Sequence, residues 1–359
     1  MTGFLPEPLR MLVTSPALLD FTSDGPLPYA LRQKFTGKPP PVTSNLSLAS
    51  QTVLVTGATS GVGLEAARQL AQLGPRLLIL GVRNASKAEQ IKSELERDTP
   101  NLTVQVAELD LESLLSVDRF VDELSANSIR LDLALLNAGF FAHDDRITDD
   151  GYSPLFQVNF LSTAYLTLKL LPLLHTTAPP HPPGTTTPPG PRLVLVTSEA
   201  HAWTTFPDVP RPTENRTQPI LSVFQDKNTL GSADDQYARA KLLLALFGKE
   251  LSRRLTAAEN DTTVVITTPG FCASNFFPDG MMTRLIQLTS ARSVQQGGAL
   301  HVFAATAPGP EIHGAYLRDG KPTGLSKFAQ GPQGQILQER LWGEMEEFFM
   351  QRGGSPLGM

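Results

Sequence analysis

One cysteine, Cys272, is the whole complement of a 359-residue chain. No intrachain disulfide can form, and a reducing compartment such as the cytoplasm is the expected location. Long apolar runs are also missing, since none reaches the roughly 18 residues that a membrane span needs. The stretch from Met11 to Leu19 is short and broken by Thr14, Ser15 and Pro16. Only Arg10 precedes it as a basic residue and Glu7 lies nearby, so no secretory signal is expected. A weak membrane-surface contact of this arm stays as the alternative. Basic charge is short as well. Thirty Lys and Arg against 35 Asp and Glu leave a net charge of −5, which argues against a nucleic-acid partner. The six histidines (His143, His175, His181, His201, His301 and His313) form no H-x3-H or cysteine-containing set, so no metal site is expected.

Proline is in excess. Thirty residues make about 8% of the chain, against a usual ~5%. Nineteen of them fall in residues 1–41, 179–191 and 207–219, whereas Val42 to Leu174 holds four. This distribution predicts an ordinary core over 48–350, preceded by an irregular arm over 1–47 and followed by a tail over 351–359. Within the core, a Pro/Thr-rich surface insertion is expected over 176–191 and a second irregular loop within 199–236.

From Gln51 the pattern becomes regular. "TVLVTG", "RLLILGV", "LTVQVAEL" and "LDLALLNAG" read as strands. Between them, "GLEAARQLAQLG", "SKAEQIKSELERD" and "SLLSVDRFVDELSAN" have helical spacing. Alternation of this kind builds βαβ units on a parallel sheet, and near-continuous apolar strands fit a sheet covered on both faces. A long helix is expected from about Tyr152 to Leu174, then the strand "RLVLVTS", the helix "YARAKLLLALFGKELSRRL" and the strand "TTVVITTPG". "SVQQGGALHVFAAT" and "GQILQERLWGEMEEFF" read as the last helices, with "GAYLRDG" between them as a seventh, edge-like strand. Trp342, Phe348 and Phe349 give the terminal helix an apolar face for the core or for a partner. The expected fold is α/β, a single doubly wound domain with a mostly parallel seven-stranded sheet.

"VTGATSGVG" places Gly57, Ser60, Gly61 and Gly63 between the first strand and the first helix. Glycine allows positive φ and bare approach of backbone N–H groups to an anion. The helix N-terminus beyond adds partial positive charge for a pyrophosphate. The spacing is G-x3-G-x-G, and no Gly-Lys-Ser/Thr follows, so this is no P-loop. At the end of the second strand, "ILGVRN" carries Arg83 and no acid. An acid there would accept from a ribose 2′-OH, whereas arginine suits a 2′-phosphate, so NADP is favoured over NAD.

Five motifs occur in one order: "TGATSGVG", "NAG" at Asn137–Gly139, "VN" at Asn159, "VTS" at Ser198 and "YARAK" at Tyr237–Lys241. Over Leu48 to Tyr316 the chain resembles the short-chain dehydrogenase/reductase family, whose fold is the Rossmann fold. "GVRN", "EAARQLAQLG" and "GGALHVFAATA…HGAYLRDG" are similar to its retinol-dehydrogenase-like branch, especially to extended fungal members of secondary metabolism. The resemblance implies an NAD(P)-dependent oxidoreductase acting on a small-molecule carbonyl/alcohol pair. It also implies a relay water held by Asn159, Asn137 over the cofactor near its adenosine side, and adenine contact by Asp110. "TPGFCAS" matches the family's P-G-x-x-x-Thr with Ser274 in the threonine's place, which implies a hydrogen bond to the nicotinamide carboxamide.

The chemistry can also be argued from the residues. Hydride exchange with a carbonyl needs a proton delivered or removed at oxygen in the same step. Tyrosine is a poor base until nearby positive charge stabilises its phenolate. Tyr237 and Lys241 are four apart and share a helix face, so Lys241 can lower the Tyr237 pKa and hold the cofactor ribose. Ser198, at a strand end, would polarise the substrate oxygen. A second Y-x3-K, Tyr165 and Lys169, precedes the serine strand and lies among apolar residues at helical spacing, so it is assigned to structure. The 39-residue gap from Ser198 to Tyr237 suggests a substrate flap over 199–236 with Trp203 and Phe206 as lining candidates, a plain surface loop being the alternative. Cys272 reads as a small buried residue. An NADP preference favours reduction. A non-catalytic NADP sensor or scaffold, and an enone reductase or dehydratase using the same tyrosine, are the alternatives.

Overall fold

The computed structural model describes residues 33, 39–40, 46–142, 144, 146–174, 190–206, 218–228, 230–273 and 291–355. One sheet organises them, in the order β3-β2-β1-β4-β5-β6-β7-β8. The strands are β1 (Thr52–Thr56), β2 (Leu77–Val82), β3 (Thr103–Glu108), β4 (Leu133–Leu136), β5 (Arg192–Val196), β6 (Thr263–Thr267), β7 (Tyr316–Arg318) and β8 (Lys321–Thr323). All pairings from β3 across to β7 are parallel. Alternate side chains feed two cores. Leu54, Ile79, Ala134, Leu195 and Ile266 face one. Val53, Val55, Leu80, Leu135, Val194 and Val265 face the other. Burial on both faces is why these strands read as continuous apolar runs rather than as alternations.

Helices α1 (Gly61–Gln72), α2 (Ala85–Asp98) and α6 (Val294–Thr306) contribute to the second core. The first core is covered by α3 (Leu114–Ala126), α4 (Ser162–Leu174), α5 (Ala233–Ala257) and, after the short α7 (Lys327–Gln330), by α8 (Pro332–Gln351). Buried Arg192, at the foot of β5, donates to the carbonyls of Ala304 and Ala307 at 3.1 and 2.8 Å. It thereby satisfies the C-terminal end of α6, where a cation is also favoured by the helix dipole.

Two expectations need amendment, and a third allows two alternatives. An eighth strand follows the seventh and pairs with it antiparallel, so β7 is not the edge. Asp319 and Gly320, both at positive φ, make the two-residue turn between them. With three residues, one of them proline, β8 offers neither an apolar run nor an alternation to read. The helix expected from Tyr152 is three consecutive pieces: Pro154–Phe156, a π-helical turn Gln157–Leu161 that carries Asn159, and α4. The terminal helix commits to its own core, where Trp342 stacks on Phe247 with centroids 5.7 Å apart and Phe348 and Phe349 meet Tyr165 edge-on. Among the described residues no helix is long and apolar enough to cross a membrane.

Candidate active site

The strand order turns back between β1 and β4, and in sheets of this kind ligands sit outside the carboxyl ends of the strands at that switch point. The glycine turn lies there. Gly57 and Gly61 take φ +68 and +56, values an L side chain rarely adopts. A Cβ at Gly63 would lie 2.4 Å from the Gly57 carbonyl oxygen and 2.3 Å from Asn137 Nδ2, so the turn is closed to any larger residue. Ser60 is exposed and occupies the N-cap position of α1 without a side-chain capping bond. Asn137 does not hang free over the cleft: its Nδ2 donates to the Thr56 carbonyl at 3.1 Å, and the Ala138 N–H donates to Thr56 Oγ1 at 3.0 Å. These bonds fix the end of β4 against the end of β1. The bare backbone and uncapped helix start fit the diphosphate of a dinucleotide.

Next along the crest, Ser198 follows β5, and Tyr237 and Lys241 lie one turn apart in α5. Ser198 caps the 3-10 turn Glu199–Trp203, its Oγ accepting from the Ala200 N–H at 3.2 Å. Tyr237 is buried, and burial pushes its phenol up to about 12, with the hydrogen bond to Ser198 pulling the other way. Lys241 is buried too, and desolvation pushes its ammonium down to about 7. Its Nζ donates to the Val196 carbonyl at 3.2 Å and stands 5.7 Å from the Tyr237 ring centre. A charge lowering the tyrosine was expected; here desolvation of the phenol is the larger effect.

Asn159 is fully buried, its Nδ2 donating to Phe140 and Leu155 carbonyls at 2.8 and 2.9 Å. Its Oδ1 has no hydrogen-bond partner among the described residues. A Cβ at Gly139 would stand 2.7 Å from that oxygen and 3.4 Å from Lys241 Nζ, so the two polar atoms converge on one small space beside a bare glycine.

Arg83, just past β2, is exposed and pairs with Glu112 at 3.3 Å, and Glu112 also binds Arg146. The Asp110 carboxylate accepts from the Glu112 N–H at 2.9 Å, which shapes the loop after β3. Ser274 lies outside the described residues, as do 176–189 of the Pro/Thr insertion and 207–217 of the expected flap. Tyr165 and Lys169 both bind Asp118 on α3, at 2.7 and 2.8 Å, as their structural assignment requires. Cys272 is buried, and burial pushes its thiol up to about 12. No metal-holding group occurs among the described residues.

The expected flap divides. Trp203 packs with Phe141 around Tyr237, Ala200 and Ala238, beside the tyrosine. Phe206 does not line this space: it is buried between Phe224 and the Arg239 guanidinium. Its apolar character serves core packing. Phe224 in turn stacks on Phe156 at 3.9 Å, and Glu344 of α8 accepts from the N–H groups of Ile220 and Leu221 at 2.8 and 3.0 Å. The described end of the segment is thus built into the core.

Phe141 was missed from sequence, because only contact places it edge-on to Tyr237 at 5.7 Å. His201 was missed also. Its Nε2 accepts from the Ser326 N–H at 3.2 Å, so Nδ1 carries the proton and donates to the Ser198 carbonyl at 2.7 Å. The position of His201, three residues after the serine, was the available signal.

Sheet order and glycine turn define the class, a Rossmann-like dinucleotide-binding fold. The short chain dehydrogenase family profile matches residues 51–179. The short chain dehydrogenase rstn4 of Aspergillus nomiae is 76% identical over 356 residues, 98% of this chain and 95% of its own length. A crystal structure of an uncharacterized protein from Mycobacterium paratuberculosis is 29% identical with a TM-score of 0.61, over 85% of this chain and 95% of that one. The NADPH-bound carbonyl reductase from chicken fatty liver shares the fold at 17% identity and a TM-score of 0.52, over 77% of this chain and 99% of that one. The chain belongs to the short-chain dehydrogenase/reductase family of oxidoreductases.

Proposed function

We propose that this protein is an NADP-dependent reductase of a carbonyl group on a small, largely apolar organic molecule. The observation that carries the reading is the buried set at the sheet crest: Tyr237, kept protonated and hydrogen-bonded to Ser198, beside buried Lys241. When bound, NADPH supplies the hydride. Tyr237 then delivers its proton to the carbonyl oxygen, and Ser198 donates to that oxygen and stabilises the charge developing on it. Lys241, in its charged form, stabilises the phenolate left behind and binds the ribose. Asn159 Oδ1 anchors a water that returns the proton through Lys241.

An NADP preference supports the reductive direction. A cytoplasmic location, where NADPH is kept reduced, agrees with it. Gly57, Ser60, Gly61 and Gly63 would hold the diphosphate, Asn137 the geometry of that turn, Asp110 the adenine side and Ser274 the carboxamide. Arg83 would meet the 2′-phosphate. Phe141 and Trp203 give the substrate side two aromatic surfaces next to Tyr237, which favours a flat or apolar carbonyl compound. The resemblance to extended fungal secondary-metabolism members supports a biosynthetic role.

The test is a cofactor-consumption screen with NADPH and NADH over ketones, aldehydes and enones, run on the parent and on Tyr237→Phe. Turnover of a ketone or aldehyde should fall by about 10²–10⁴-fold in the variant while NADPH binding is kept. Undiminished turnover rejects Tyr237 as the acid. NADPH binding with no hydride exchange across the panel marks a sensor instead, and turnover of enones alone marks C=C reduction.

A further inference from the structure

The turn after β6 leaves the carboxyl end of the sheet, and its local bonds include Gly270 N–H to Thr268 Oγ1 at 3.2 Å and Cys272 Sγ to the Pro269 carbonyl at 3.5 Å. Gly270 sits at φ +74, and the Pro269–Cys272 stretch has left the sheet ladder. Two segments distant in sequence tie it down. Gln33, in the N-terminal arm and 2% exposed, clamps one residue of the turn. Its Nε2 donates to the Phe271 carbonyl at 2.8 Å, and its Oε1 accepts from the Phe271 N–H at 2.8 Å, across 238 positions of sequence. One primary amide thus satisfies both polar groups of one peptide residue, as a neighbouring strand would.

Arg292, also buried, supplies the second tie. Its backbone N–H donates to the Phe271 carbonyl at 2.9 Å, its carbonyl accepts from the Ala273 N–H at 2.8 Å, and its guanidinium donates to the Pro269 carbonyl at 3.3 Å. The guanidinium also pairs with Asp319 in the β7–β8 turn. Pro40 lies at that same junction: a Cβ on Gly320 would stand 2.3 Å from Pro40 Cγ. Gln33 and Pro40 therefore meet the post-β6 turn and the β7–β8 turn, which Arg292 joins to each other.

We propose that Gln33 is a positioning residue for the cofactor site, holding the Phe271 backbone and, through it, the Pro269–Cys272 turn in place for the nicotinamide end of the cofactor. The proposal rests on the dehydrogenase reading above. Sequence composition marks the arm only as irregular and assigns it no role. The amide clamp gives Gln33 one. A turn with these bonds made is ordered before the cofactor arrives, so binding does not have to supply the ordering free energy. Nothing in the clamp requires Gln33 to touch the cofactor.

The test compares the full-length parent with Gln33→Met, which keeps the length of the side chain and removes both bonds, and with Gln33→Glu, which keeps an acceptor but sets a carboxylate against the Phe271 carbonyl. Amide hydrogen exchange of the cofactor-free proteins reads the clamp directly. The Phe271 amide should exchange slowly in the parent and about tenfold or more faster in Gln33→Met. Fluorescence titration with NADPH should give a dissociation constant raised about tenfold in Gln33→Met and more in Gln33→Glu, a larger change than any in kcat at saturating NADPH. A dissociation constant within twofold of the parent overturns the proposal, whether or not the melting temperature falls. So does an unprotected Phe271 amide in the parent, a measurement that survives any failure of the variants to fold. Should the parent bind neither NADPH nor NADH, the dehydrogenase reading itself fails; should parent and variants bind alike, only the role of Gln33 does.

Discussion

Thr197 Oγ1 donates a 2.7 Å hydrogen bond to the main-chain carbonyl of Lys241. Thr197 immediately precedes Ser198 at the crest of β5, and Lys241 lies one turn beyond Tyr237 on α5. The bond therefore joins the two elements that carry the proposed chemistry. The Thr197 N–H also donates to Thr267 in β6 at 2.8 Å, so the crest is held from the sheet side as well. With strand and helix locked in register, the Ser198–Tyr237 bond needs no rearrangement before reaction, which is the form of preorganisation that lowers a barrier most.

Burial sets the expected pH dependence. Tyr237 stands at about 12 and Lys241 at about 7, so the phenol is protonated across the neutral range while the ammonium loses its charge as pH rises through about 7. Reduction uses the phenol proton and is aided by the lysine charge. Its kcat/KM should be level in mild acid and decline above about pH 7. Oxidation needs the phenolate and should rise toward alkaline pH. Initial rates in both directions over pH 5–10 check this, and Lys241→Met should remove the break near 7. An oxidation rate highest in acid would contradict the assignment.

The proposed preference for NADP rests on Arg83. Its guanidinium is 71% exposed and its partner Glu112 is shared with Arg146, so it can turn to a 2′-phosphate without leaving a buried carboxylate unpaired. Charge-assisted bonds of this kind contribute about 1.5–3 kcal/mol. Arg83→Ala should raise the KM for NADPH by about tenfold or more and leave that for NADH within about twofold. Steady-state kinetics with both cofactors measures the split. Equal rises for both would assign Arg83 to the loop alone.

Much of this was legible because periodicity and spacing are local. The parallel strands announce themselves since both their faces are buried, and the Tyr237–Lys241 pair needs only the helical repeat to share a face. What could not be read depends on contact. Gln33 looks like any arm residue until Phe271 is seen beside it, 238 positions away. Phe206 and Trp203 have the same apolar character in the same segment, yet one packs under Phe224 and the other beside Tyr237. The π-helical turn at Asn159 leaves no mark, because one inserted residue shifts the helical phase without changing composition.

His301 offers a stability prediction independent of catalysis. It is fully buried on α6, neither ring nitrogen has a partner among the described residues, and burial, aided by the Lys241 charge, pushes it from 6.5 down to about 3. The unfolded chain therefore binds a proton between about pH 6.5 and 3 that the folded chain refuses. Folding stability must fall as pH drops through that window, by an amount on the order of a few kcal/mol from this one group. His301→Leu removes the refused proton and two unsatisfied polar atoms while keeping an apolar side chain against the sheet. Urea midpoints measured from pH 7 to 4 should show parent and variant drawing apart with acid, the variant losing less. Carboxylates titrate in the same range, but they are common to both proteins and cancel in the difference. Parallel curves would mean that His301 takes up its proton without opening the fold.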